Sequence, residues 1–248
     1  MFNFKSKKKQ QKLENEQKLG SPIVTYFEPM SAIAEQYKTI RTNIEFAQIG
    51  SSINSIAVTS SISMEGKSTT TVNLAYTYAQ TGKKVLIVDS DLRKPTLHKT
   101  FKLNNNVGLT TALVNDEYSL ESVIQYSEDF DLYILPSGPI PPNPVELVGS
   151  QEFSALLDQI TELFDLVILD TPPLHSVTDG QIIASKVDGT ILVVRQNYVR
   201  RDQVVETKVS LDNVKANLIG YILNDVPVNK NKGYGYYEYY NVWFVKLS

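Results

Sequence analysis

The chain has 248 residues, 42% of them hydrophobic, which suits one large α/β domain with a full core or at most two small ones. Cysteine is absent, so a disulfide framework and thiolate zinc sites are excluded, and a reducing compartment is the natural reading. The net charge of −3 gives no case for a nucleic-acid partner. No run of about 18 apolar residues is present to span a membrane, and the charged N-terminus lacks the apolar segment of a secretory signal.

Residues 1–25 read as a flexible basic extension. Within it, residues 5–12 (KSKKKQQK) hold five lysines and no acid. Such a run is a solvated tail, or a weak attraction to an anionic membrane surface that assists attachment without causing it. The spacing next predicts an amphipathic helix over 35–48, with Tyr37, Ile40, Ile44 and Ala47 on one face. Glu35, Lys38 and Arg41 are expected on the opposite side. Short apolar runs then predict buried strands at Ile56–Thr59, Val85–Asp89, Leu132–Leu135, Leu166–Asp170, Thr190–Val194 and Leu218–Leu223. Helical segments are expected between them at 68–81, 152–163, 176–186 and 200–213. This alternation of nearly continuous Val/Ile/Leu strands with helices predicts an α/β fold, with a mostly parallel central sheet flanked by helices on both faces.

The first strand leads into Ser60-Ser61-Ile62-Ser63-Met64-Glu65-Gly66-Lys67-Ser68-Thr69. Strand, small-residue loop, Gly-Lys-Ser and helix are the context of a phosphate-binding P-loop of the Walker A type. Residues 61 and 63–69 are the expected cradle: backbone N–H groups and a helix N-terminus face the phosphates. Lys67 would neutralise the β- and γ-phosphates, Ser68 would bind Mg²⁺, and Gly66 would let the backbone approach closely. Ser61 stands where the first glycine of G-x-x-x-x-G-K-S is usual.

Two further strands end in aspartate, Val85–Asp89 and Leu166–Asp170. In a parallel sheet both carboxylates emerge at the edge that carries the P-loop, where ligands bind in open α/β folds. A hard cation needs such oxygen ligands. Asp170 is the Walker B candidate for Mg²⁺, and Asp89 would share the metal or accept a proton. A plain strand-end turn is the alternative for either residue taken alone.

The run Asp89-Ser90-Asp91-Leu92-Arg93 resembles the Walker A′ strand of the bacterial tyrosine kinases, P-loop proteins unrelated in fold to eukaryotic kinases. The chain lacks the eukaryotic motifs H-R-D and D-F-G. The resemblance covers residues 31–245. It includes Glu35-x-x-Lys38-x-x-Arg41, similar to the family's E-x-x-R-x-x-R oligomerisation motif, and Ser137-Gly138-Pro139-Ile140-Pro141-Pro142-Asn143-Pro144. It implies a P-loop kinase domain over 26–228, ATP and Mg²⁺ as cofactors, Asp89 as base, and Lys67 and Asp91 beside it among the catalytic residues. Asn224 occupies the place where related P-loop proteins contact adenine, a strand-end turn being the plain alternative.

This sequence departs from the family pattern twice. Lys38 replaces the first motif arginine, keeping charge but losing the bidentate fork. Met64 replaces the first glycine of G-E-G-K-S. If that position needs φ > 0, methionine costs about 1–2 kcal/mol there.

Residues 229–248 read as a mobile tail. Five of the 14 tyrosines fall in it: Tyr234, Tyr236, Tyr237, Tyr239 and Tyr240. An aromatic interaction patch is one reading. Beside an ATP site, the phosphoacceptor reading is preferred. The resemblance further implies a homo-oligomeric ring, a membrane-embedded modulator, a counteracting phosphotyrosine phosphatase, and a place at the inner face of the cell membrane in capsular or exopolysaccharide export. A partitioning ATPase of the ParA/MinD type is the rival, although Ile62 stands where that class carries its signature lysine. A weak nucleotide-binding scaffold is the other.

Overall fold

The computed structural model describes residues 20–47, 52–115, 117–226 and 241–246. The lysine run at 5–12 and the five tyrosines at 234–240 lie outside the described residues. In chain order the elements are α1 Val24–Phe27, α2 Ala32–Ala47, β1 Ser55–Ser60, α3 Lys67–Ala79, β2 Val85–Asp89, α4 Leu97–Thr100, α5 Leu109–Val114 and α6 Leu120–Val123. There follow β3 Gln125–Ser127, β4 Leu132–Leu135, α7 Pro144–Gly149, α8 Gln151–Leu163, β5 Leu166–Asp170, α9 Asp179–Ala184, β6 Gly189–Arg195, α10 Arg201–Asn213, β7 Leu218–Val226 and β8 Asn241–Lys246.

Strands β1, β2 and β5 are buried at every position, because helices cover both faces of the sheet. Alternate residues serve opposite sides. Ile56, Val58, Val85, Ile87 and Ile168 pack with Tyr37, Ile40 and Ile44 of α2 and Val72, Ala75 and Tyr78 of α3. Ala57, Leu86, Val88, Val167 and Leu169 pack with Phe153, Leu156, Leu157 and Ile160 of α8. The sheet runs β3-β4-β2-β5-β1-β6-β7-β8. From β4 to β7 all neighbours are parallel, and β3 and β8 close the two edges antiparallel. The α/β expectation therefore holds, as do the bounds of β2, β4 and β5.

Four differences have clear causes. The flexible extension ends before residue 25: Ile23 is buried, the Ser21 N–H donates to Thr100 Oγ1 at 2.8 Å, and the Thr25 N–H donates to Asn73 Oδ1 at 2.9 Å. The helix expected over 176–186 is only Asp179–Ala184, because the chain after Asp170 is first tied to the end of β1 and then turns: Leu174 N–H donates to Ser60 O, His175 N–H to Ser61 O and Ser176 N–H to Pro173 O. The segment expected as a mobile tail over 229–248 contains a strand. Asn241–Lys246 pairs antiparallel with β7, from Gly220↔Lys246 to Val226↔Asn241. Its Val-Trp-Phe-Val run is a strong β-former, and β7 would otherwise be an open edge. Lastly, Arg41 leaves the exposed side of α2. Its Nη1 donates to the Thr77 carbonyl of α3 at 2.9 Å, because it lies four residues after the buried Tyr37 and shares that edge of the helix.

Candidate active site

The carboxyl edge of the central strands gathers the site. The turn between β1 and α3 uses left-handed backbone at Met64 (φ 70°) and Gly66 (φ 94°). At Gly66 a side chain is also excluded by space, since a Cβ would lie 2.2 Å from Asn224 Nδ2. Met64 has no such relief, so the strain anticipated for that position is present in the loop.

The loop is held from behind. Glu65 is fully buried; its Oε1 accepts from the Ile62 N–H at 2.8 Å and its Oε2 from the Arg195 N–H at 2.9 Å. Burial raises the Glu65 carboxyl above its ordinary range, and the N–H donors work against that rise. The Glu65 carbonyl accepts from Asn224 Nδ2 at 2.9 Å. Asn224 is thus placed against the phosphate loop itself. Ser61 is fully buried, while Ser63 is exposed.

In front of the loop, Lys67 Nζ lies 2.9 Å from Asp91 Oδ2, 3.4 Å from Ser68 Oγ and 3.5 Å from Asp170 Oδ1. Burial alone would lower the lysine pKa, but Asp170, Asp91 and Asp89 outweigh it and hold the ammonium above its ordinary value. Asp89 and Asp170 are register partners on β2 and β5, so their carboxylates sit side by side. Asp89 Oδ2 accepts from the Thr96 and Leu97 N–H groups at 2.9 Å each. Burial first, and the charge of Asp170 second, push the Asp89 carboxyl up to about 8. Asp170 is raised by burial as well, with Lys67 opposing.

Asp89 Oδ1 and Asp170 Oδ2 are buried without a hydrogen-bond partner. Two orphaned carboxylate oxygens at a strand edge are costly in themselves, and a hard cation would satisfy both. The hydroxyl of Ser68, close enough to Asp170 to favour its ionised form, is the third oxygen at hand. Among the described residues no group of three His, Cys, Asp or Glu side chains forms a metal cage. Mg²⁺ takes one or two carboxylates and completes its shell with phosphate oxygens and water.

The structure therefore brings together Ser61, Met64, Glu65, Gly66, Lys67, Ser68, Asp89, Asp91, Asp170 and Asn224. Glu35 and Lys38 stay exposed on α2 and pair with each other at 2.6 Å. Sequence reasoning missed Arg195 and Asp225, which ion-pair at 2.9 Å beside the loop, and Thr71, whose Oγ1 lies 3.5 Å from Asp170 Oδ1. The one available signal for Arg195 was its position as a charged residue closing an apolar strand at the same sheet edge. Arg93 and Asp179 form a further ion pair at 2.8 Å that ties the Walker A′ segment to α9.

A parallel sheet, a Gly-Lys-Ser loop opening a helix, and acidic strand ends facing it define a P-loop nucleotide-binding domain. An AAA-domain family profile matches residues 53–218. The tyrosine-protein kinase YwqD of Bacillus subtilis is 45% identical over 215 residues, covering 87% of this chain and 90% of that protein. The crystal structure of the chimerical protein CapA2B2 is 39% identical with a TM-score of 0.79, covering 88% of this chain and 99% of the other. The chain belongs to the bacterial tyrosine-protein kinase family. The septum site-determining protein MinD of Pyrococcus horikoshii, at 23% identity and a TM-score of 0.60 over 69% of this chain and 70% of that one, shares the fold alone.

Proposed function

We propose that the protein is an ATP-dependent protein-tyrosine kinase whose acceptors are its own Tyr234, Tyr236, Tyr237, Tyr239 and Tyr240. The observation that carries the reading is the convergence of Lys67, Asp91, Asp170 and Asp89 in front of the phosphate loop, in a chain whose relatives are named tyrosine-protein kinases.

The loop amides and Lys67 would bind the β- and γ-phosphates, with Lys67 leaving Asp91 for the phosphate oxygens. Mg²⁺, held by Ser68, Asp170 and Asp89, supplies charge neutralisation on those oxygens when bound. The tyrosine phenol oxygen forms the new bond to the γ-phosphorus as the bond to the leaving ADP oxygen breaks, and the phenol proton passes to Asp89. A phenol with pKa near 10 needs such an acceptor. Burial raises the Asp89 carboxyl, and the charge of Mg²⁺ beside it would favour the ionised form that can take this proton. Asn224 would contact the adenine by the family resemblance, and its amide braces the loop.

The same reading gives the protein a membrane-embedded modulator as partner, a homo-oligomeric ring, a counteracting phosphotyrosine phosphatase, and a role in controlling capsular or exopolysaccharide polymerisation and export at the inner membrane face. Its support is the family membership. Among the described residues no helix is long and apolar enough to cross a membrane, which suits attachment through a partner.

Incubation of the purified chain with Mg·ATP, read with an anti-phosphotyrosine antibody, tests the central claim. Lys67→Ala should abolish the signal. Replacing the five tyrosines by phenylalanine should remove it while nucleotide binding persists. Absence of phosphotyrosine, even with the membrane modulator added, would reject the kinase reading.

A further inference from the structure

The strained turn at Met64 is clamped by groups from the ends of β6 and β7. Arg195 is the last residue of β6, and its Nη1 donates to the Met64 carbonyl at 3.2 Å. The guanidinium is fixed in turn: Nε and Nη2 each lie 2.9 Å from Asp225 Oδ2, and the Tyr198 ring stands 5.0 Å away. The Arg195 side chain is only 12% exposed, so it is not a free surface cation. Beside it, Asn224 Nδ2 holds the next carbonyl, that of Glu65.

In a trans peptide the C=O and the following N–H point in opposite directions. Holding the Met64 carbonyl towards β6 therefore aims the Glu65 N–H the other way. Holding the Glu65 carbonyl towards β7 does the same for the Gly66 N–H. The anchors lie behind the loop, so both amides are turned towards the phosphate side, where a P-loop needs donors.

A glycine at position 64 would adopt φ 70° without steric conflict; methionine does not. Left alone, a Met64 turn would relax and rotate both peptide planes. We propose that Arg195, fixed by Asp225, is a positioning residue for nucleotide binding: it holds the Met64 peptide in the orientation a glycine would take by its own freedom. The inference rests on the nucleotide-binding reading of the loop and adds a role for two residues about 130 and 160 positions away in sequence.

The test is a coupling measurement. Affinity for Mg·N-methylanthraniloyl-ADP is measured by fluorescence titration for the full chain, Arg195→Gln, Met64→Gly and the double variant. Loss of a charged hydrogen bond predicts about tenfold weaker binding for Arg195→Gln in the native background. With glycine at 64 the same substitution should cost less than about threefold. Amide exchange at Glu65 and Gly66, read without nucleotide, should quicken in Arg195→Gln and return towards the native rate in the double variant. Asp225→Asn keeps the guanidinium but releases it, and should show the same dependence on residue 64; it also serves if Arg195→Gln folds poorly. Equal losses with methionine and glycine would overturn the proposal, because Arg195 would then act on the nucleotide or on the fold at large. No loss in the native background would overturn it as well. These readouts need no phosphoryl transfer: a chain that binds nucleotide with the expected coupling yet makes no phosphotyrosine would sink the kinase reading and leave this one standing.

Discussion

Asp89 shows how a single side chain is set by its surroundings. Its carboxyl is buried between β2 and α4, beside the register partner Asp170, and is raised to about 8. In the unfolded chain it titrates near 4. Between those values the folded state retains a proton that the unfolded state has released, so stability falls as pH rises through that window. Asp89→Asn removes the titration and leaves an acceptor for the Thr96 and Leu97 amides. In chelator, the variant should melt above the native protein at pH 8.5, and the gap should close towards pH 5. A gap that does not vary with pH would show that Asp89 is ionised throughout. The same substitution should abolish phosphotyrosine formation at every pH. Asp89, Asp170, Lys67 and Ser68 were legible in the sequence because each belongs to a local pattern: a strand end, or a Gly-Lys-Ser turn. Arg195 and Asp225 were not, because they reach Met64 only through the parallel register that sets Ser60 beside Val193 and Arg195 beside Asn224.

At the scale of the element, α2 shows two kinds of polar residue on one helix. Tyr37, Ile40 and Ile44 anchor it, and full burial of each aliphatic is worth about 1.5–3 kcal/mol. The exposed Glu35–Lys38 pair contributes only about 0.3–0.5 kcal/mol. Arg41 differs: it bonds to the Thr77 carbonyl near the C-terminal end of α3, the helix that opens at the phosphate loop. Arg41→Ala should therefore lower the melting temperature by about 2–4 °C, from the loss of about 1 kcal/mol. Lys38→Ala should leave it within about 1 °C. Melting curves and light scattering on the same samples separate the roles. If Arg41→Ala changes oligomer size without changing the melt, its place is at an interface between copies and not against α3.

Among the described residues of the whole molecule, the sheet has eight strands and its two ends are closed by short antiparallel strands, β3 and β8. Deleting residues 241–248 would bare the β7 edge, whose unpaired amides and carbonyls invite pairing with another chain. The shortened protein should melt lower and associate more, as read by melting temperature and light scattering at equal concentration. An unchanged melt with unchanged size would mean that β8 contributes nothing to the sheet in solution.

The fold class, the phosphate loop, the two aspartate strand ends and the central strands follow from the order of residues alone. Each of these is written in contiguous residues whose periodicity or turn chemistry acts over a few positions. The same order also marks Met64 as out of place. Packing between distant segments brings β8 into the sheet, turns Arg41 inward, and sets Arg195, Asn224 and Asp225 behind the loop. Those outcomes depend on which strands become neighbours and in what register, a long-range choice made by burying both faces of the sheet at once.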